Sequence, residues 1–157
     1  MNRLTGTMVF GCLVAALAVA PQTVSAQANP RIGTWKLDVA KSTYQQGAAP
    51  ASETRTYLAT DDGGVQMTAD TVLESGTKQP SGYRAKFDGK DAPYSGAAGD
   101  SIAITGDGWT SDSTIKSVGK VTQTTHGVVS RDGKTMTLVT KTASGRAVST
   151  RIYNKQM

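Results

Sequence analysis

From Ile32 to the C-terminus, apolar and polar residues alternate in short runs separated by Gly and Asp. Val65, Met67, Ala69, Thr71 and Leu73 fall on one face of such a run. Tyr83, Ala85 and Phe87 fall on one face of the next, and Met136 and Leu138 oppose Thr135, Thr137 and Val139. A period of two places alternate side chains on opposite sides of a strand. The pattern predicts strands over 32–38, 53–60, 64–73, 81–88, 101–105, 109–117, 120–130, 134–143 and 146–155. Short turns separate them: Asp61-Asp62-Gly63-Gly64, Asp107-Gly108, Val118-Gly119, Asp132-Gly133 and Ser144-Gly145. Glycine suits such hairpins because it accepts positive φ at little cost. Val39 to Ser52 is the least strand-like stretch and contains Gly47 and Pro50. It predicts a short helical turn near Asp38 to Ser42, with Asp38 as N-cap. Residues 89–100, rich in Gly and Ala, read as a loop.

Strands joined in order by tight turns make a meander. An open sheet of that size would expose two edges, and closure into a barrel removes them. The expected fold class is therefore all-β: a single up-and-down antiparallel β-barrel of about nine or ten strands. A β-sandwich is the alternative.

The N-terminus follows a different pattern. Arg3 precedes an apolar run from Met8 to Ala20; Pro21 ends it, and Val24-Ser25-Ala26 presents small residues. These are the three parts of a cleavable export signal. The run is shorter than the roughly 20 residues that span a bilayer. Residues 1–26 are expected to be a cleaved signal peptide and 27–157 a single β-barrel domain, secreted or periplasmic, with no transmembrane anchor after cleavage. Cleavage removes Cys12, the only cysteine. The mature domain then has no disulfide, no thiolate metal site and no cysteine nucleophile. Leu, Ile, Val and Phe supply only 19 of the 131 residues from 27 to 157. That is below the roughly 20% at which disorder becomes a candidate. Net charge is low and the alternation clear, so the expectation is a folded domain with a thin apolar core.

Composition and motifs narrow the chemistry. Basic residues are scattered among Thr and Ser and form no run of the kind that binds nucleic acid. His126 is the only histidine, and no G-x-S-x-G motif accompanies it. An enzyme would need His126 beside a carboxylate in a cleft. Asp61, Asp62, Asp88, Asp91, Asp107 and Asp132 lie in turns, where local hydrogen bonding explains them. None has the calcium-loop spacing. No phosphate-binding Gly motif is present. The reading is a non-enzyme with no catalytic residue, no metal site and no cofactor.

The two ends of the domain carry more. Gly33-Thr34-Trp35-Lys36-Leu37-Asp38 stands near the start and Thr150-Arg151-Ile152-Tyr153-Asn154-Lys155 at the finish. A Gly-x-Trp first strand with an Arg in the last resembles the calycins, the group containing lipocalins, fatty-acid-binding proteins and avidins. The closing Arg-x-Tyr is similar to the fatty-acid-binding branch. With Ala40-Lys41-Ser42 and Asp132-Gly133-Lys134-Thr135-Met136-Thr137, the chain also resembles a group of small secreted bacterial proteins. The resemblance implies a calycin-like barrel that binds a small hydrophobic or amphiphilic ligand in its interior. It assigns the ligand head group to Arg151 and Tyr153. A further basic residue from an earlier strand is usual in that branch, and the sequence does not place it. The resemblance also implies a second role for Arg151, closure of the barrel end by packing over the Trp35 indole. Two departures stand: the helical lid of the fatty-acid-binding branch is missing from Val39 to Ser52, and that branch is cytosolic. The alternative function is an envelope partner-binding module, an inhibitor or assembly factor, whose barrel is filled with side chains.

Overall fold

In a computed structural model, residues 29–157 are described. The export signal expected over residues 1–26 lies outside the described residues. The alternating runs form β1 (Gly33–Tyr44), β2 (Pro50–Ala59), β3 (Val65–Leu73), β4 (Lys78–Ala85) and β5 (Ala92–Ser95). They continue as β6 (Ser101–Gly106), β7 (Thr110–Ser117), β8 (Lys120–Val129), β9 (Thr135–Thr142) and β10 (Ala147–Lys155). Each strand pairs antiparallel with its sequence neighbour, and β1 pairs with β10 to close the barrel. The fold is thus the expected all-β up-and-down barrel, with ten strands and no helix among the described residues.

Two expectations need correction. The helical turn expected near Asp38 to Ser42 is strand: β1 runs on to Tyr44, and its register with β10 shifts between Asp38 and Thr43. Asp38 does cap a local turn, but of a bulge. Its Oδ1 accepts from the Lys41 backbone N–H at 3.2 Å, and Ser42 Oγ donates to the Asp38 carbonyl at 2.7 Å. Ser42 Oγ also accepts from the Ile152 N–H at 3.0 Å, tying the bulge to β10. Side-chain capping of this kind serves a bulge as well as a helix. The loop expected over 89–100 contains β5, which closes the gap between β4 and β6 through short pairings such as Tyr83 with Tyr94 and Ala92 with Ile102.

The interior is divided. One cluster packs Trp35, Leu37, Tyr57, Met67, Met136 and Leu138 together with Tyr153. The other packs Ala85, Ile102, Ile104 and Ile115, and Tyr83 touches both. The first cluster sits at the end where the chain enters, which we call the base. There Trp35 is fully buried and its indole N–H donates to the Arg31 carbonyl at 2.8 Å. Connections 45–49, 74–77, 96–100, 118–119 and 143–146 form the opposite, upper end. The few aliphatic residues suffice to fill the base but not the whole barrel.

Candidate ligand site

Strand alternation brings Glu53, Arg55 and Tyr57 of β2 to the interior, and likewise Ser149, Arg151 and Tyr153 of β10. β1 lies between these two strands. Long side chains reach across it and converge on Glu53, whose side chain is fully buried. Arg151 donates a terminal amino group to Glu53 Oε2 at 2.9 Å. The Tyr153 hydroxyl donates to Oε1 at 2.8 Å, and Arg55 Nε donates to the same oxygen. The Arg55 guanidinium lies over the Tyr153 ring at 5.3 Å, and that of Arg151 over the Tyr44 ring at 5.7 Å. Stacking of this kind holds the guanidinium planes while their edges bond.

Electrostatics decide the charge state. Burial alone would raise the Glu53 carboxyl, but Arg55 and Arg151 outweigh it and hold the group down at about 2. Burial pushes the Tyr153 phenol upward, so it stays a neutral donor. The Tyr83 phenol is raised by burial as well.

This cluster forms part of the wall of a cavity of about 230 Å³. It reaches the upper end, where Ala97 and Ala98 of the 96–100 connection line it. Its wall is mixed. Met67, Phe87, Ile102, Ile104 and Ile115 are its apolar lining, interspersed with the hydroxyl- and amide-bearing Thr71, Gln79, Ser113, Gln123, Thr125 and Thr140. Its ionisable lining other than tyrosine is Arg31, Arg55 and Arg151 against the single acid Glu53. Arg31 spends its donors on the wall: Nε on the Gly108 carbonyl at 3.3 Å, one amino group on the Gly127 carbonyl at 3.5 Å and the other on Met136 Sδ at 3.8 Å.

Arg151 and Tyr153, read from the sequence as ligand-binding, are thus brought together on the inner wall. Arg151 lines the cavity, whereas Tyr153 is fully buried behind Glu53. The closure contact expected between Arg151 and Trp35 is made by another cation. Lys155 Nζ lies 5.1 Å over the Trp35 ring and donates to the Pro30 carbonyl at 2.9 Å. The reason is register: Trp35 pairs with Lys155, whereas Arg151 sits opposite the bulge and turns toward Glu53. His126 projects from the outer wall and its Nδ1 lies 2.7 Å from Asp112 Oδ1, with both side chains substantially exposed. That pair is outside the cavity lining. Among the described residues no group of three or more His, Cys, Asp or Glu side chains converges as a metal site.

Glu53, Arg55 and Arg31 were not picked out from the sequence. The run Glu53-Thr54-Arg55-Thr56-Tyr57 held the signal, since its period of two sets an acid, a base and an aromatic on one face. Arg55 joins the Arg151–Tyr153 pair from β2, through Glu53 and the Tyr153 ring. Arg31 carried no such signal, because it precedes the first strand.

No protein-family model and no curated protein matches the chain. Solved structures do. The fluorescent protein UnaG, as wild type, aligns with a TM-score of 0.51 at 12% identity, over 80% of this chain and 96% of that one. The amine-binding protein of Rhodnius prolixus, in its tryptamine complex, aligns with a TM-score of 0.49 at 12% identity, over 80% of this chain and 63% of that one. The closed ten-strand barrel and the first of these likenesses make the fold calycin-like.

Proposed function

We propose that this protein is exported and that its barrel holds a small apolar or amphiphilic ligand in its interior. The observation that carries the reading is the cavity of about 230 Å³, whose lining combines apolar side chains with guanidinium and hydroxyl groups. A concave site where a few polar groups converge beside apolar side chains is suited to a small molecule with both a polar and an apolar part. The calycin-like barrel supports the same reading, and the pattern of residues 1–26 supports export. The partner-binding alternative expects a barrel filled with side chains, so the cavity favours the ligand.

Native mass spectrometry of the exported form after gentle extraction tests this, with a fatty-acid and lipid panel added back. A bound species, or a rise in melting temperature with one class of ligand, is the expected result. No bound mass and no thermal shift with any of them would overturn it. A stable envelope partner recovered in their place would put the partner-binding module first.

A further inference from the structure

The tip of the β7–β8 hairpin combines exposure with strain. Val118 is 88% exposed and holds a φ of 49°, a conformation that β-branched residues rarely adopt. Val121, at the start of β8, is also exposed. Neither valine lines the cavity or joins the buried clusters. The fold therefore gains no buried contact from an apolar side chain at Val118, yet holds it in a strained backbone. Strain held in place by its surroundings marks functional positions. The surroundings here are specific. The Val118 N–H donates to Asp100 Oδ2 at 2.7 Å, and the Asp100 N–H donates to the Lys116 carbonyl at 2.8 Å. Thr122 Oγ1 donates to the Ala98 carbonyl at 2.7 Å. Ala97 and Ala98 line the cavity, so the tip is fixed beside its upper end.

Charge differs between the two ends of the barrel. In the base connections and the strand ends that flank them, Asp61, Asp62, Asp88, Asp91, Asp107 and Asp132 nearly balance Arg84, Lys86, Lys90, Arg131 and Lys134. At the upper end the same positions hold Glu74 and Asp100 against Lys78, Lys116, Lys120, Lys141 and Arg146. Lys116 pairs with Asp91, whereas the other four cations are exposed and make no salt bridge among the described residues.

We propose that the β7–β8 tip docks the upper end of the barrel on an anionic lipid surface. Val118 and Val121 enter the headgroup layer, and Lys78, Lys120 and Arg146 face its negative charge. Apolar insertion and basic side chains reinforce each other at such a surface. A protein partner is less well served, because two valine side chains fall far short of the roughly 800 Å² per partner that a stable interface covers. The docking does not depend on what the cavity holds.

Co-sedimentation of the exported form with large vesicles tests this. Vesicles of phosphatidylcholine and phosphatidylglycerol at 3:1 are compared with pure phosphatidylcholine. The wild type should partition onto the anionic vesicles about ten-fold more strongly, and added salt should weaken it. Val118→Asn should lower that partition by about ten-fold, while a thermal melt shows the variant folded and no less stable. Val118→Gly, which removes both side chain and strain, should give the same loss. Lys120→Gln and Arg146→Gln should each lower it by about five-fold. Lys134→Gln, at the base, should leave it unchanged. Val118, Lys120 and Arg146 lie outside the cavity lining, so lipid taken into the barrel would not respond to these variants. No preference of the wild type for anionic vesicles, or a partition unmoved by both Val118 variants, overturns the proposal. A loss with Lys134→Gln as large as with Lys120→Gln overturns it too, since net charge alone would then bind. An envelope protein that binds the wild type but not Val118→Asn, with no vesicle binding, would make the tip a protein-docking site and overturn the lipid reading.

Discussion

Tyr153 and Glu53 are joined inside the barrel although their strands are not neighbours. The hydroxyl of Tyr153 on β10 donates at 2.8 Å to the carboxylate of Glu53 on β2, passing over β1. The bond braces the strand pair that closes the ring. Tyr153→Phe removes the donor and keeps the ring that Arg55 covers. Chemical denaturation should show a loss of about 1–3 kcal/mol, the usual cost for a bond to a charged, buried acceptor. Glu53→Gln should cost more, about 3–5 kcal/mol, because it leaves two guanidinium groups without their counter-ion. The two effects should not add, since both act on the same carboxylate. A double variant whose loss equals the sum of the single ones would show that the bond is not part of one network.

Acid stability should report the same group. The Glu53 carboxyl lies at about 2 in the folded protein, below its ordinary 4.5. A group depressed on folding stabilises the native state when ionised. Its contribution is complete above about pH 4.5 and is lost as the pH falls toward about 2. A shift of this size corresponds to about 3 kcal/mol across that window. Asp62 is also held low, chiefly by its bond from Thr60, and it titrates in the same range on the surface. The comparison with Glu53→Gln separates the two. Urea midpoints of the wild type and the variant should differ most at pH 5 and above and converge toward pH 2. A constant gap over that range would show that Glu53 is not held ionised.

The barrel was legible in the sequence because period-two alternation and Gly/Asp turns are local signals. Val65, Met67 and Ala69 form an inward, buried face as their spacing predicts. Asp38 misled because a side chain that caps a backbone turn gives the same signal in a bulge as in a helix. β5 was missed because Ala92-Pro93-Tyr94-Ser95 is too short to show a period; its strand form depends on β4 and β6 beside it. At the site, Arg151 and Tyr153 were visible through a terminal motif. That Glu53 would be their partner was not, because the contact spans 98 residues of sequence for Arg151. Alternation orients a side chain inward but does not say which inward side chain across the barrel it meets.

Lys155 closes the base, and the roles of the two late cations can be separated. Lys155 Nζ is bonded to the Pro30 carbonyl and lies over the Trp35 indole. Lys155→Met keeps most of the stem but loses both interactions. It should cost about 1–2 kcal/mol, from a lost bond and a partly desolvated cation–π contact. Trp35 emission, read in a Trp109→Phe background, should change with it. Arg151→Met should leave that emission unchanged, since its guanidinium lies over Tyr44. An emission change with Arg151→Met and none with Lys155→Met would restore Arg151 as the residue that covers the indole.

Val118 offers a site where stability should rise. It is 88% exposed at the tip between β7 and β8 and has a φ of 49°, with Gly119 following at 73°. Ser117 pairs with Lys120, so Val118 and Gly119 form a two-residue hairpin turn in which both residues take positive φ. A β-branched side chain is strained there, at a cost of about 1–2 kcal/mol, whereas Asn tolerates the conformation and Asn-Gly is the preferred pair. The Val118 backbone N–H donates to Asp100 Oδ2 at 2.7 Å, which holds the strained residue in place and ties the hairpin to the 96–100 connection. Val118→Asn keeps that backbone donor and gives up no buried apolar contact. It should stabilise the protein by about 1 kcal/mol, through relief of the backbone strain. Asp100→Ala should lower stability in the Val118→Asn background by at least as much as in the wild type, because without the bond the valine can relax its strain and recover part of the loss. Thermal melts of the four proteins check both statements. A Val118→Asn variant no more stable than the wild type would show that the turn carries no strain to relieve.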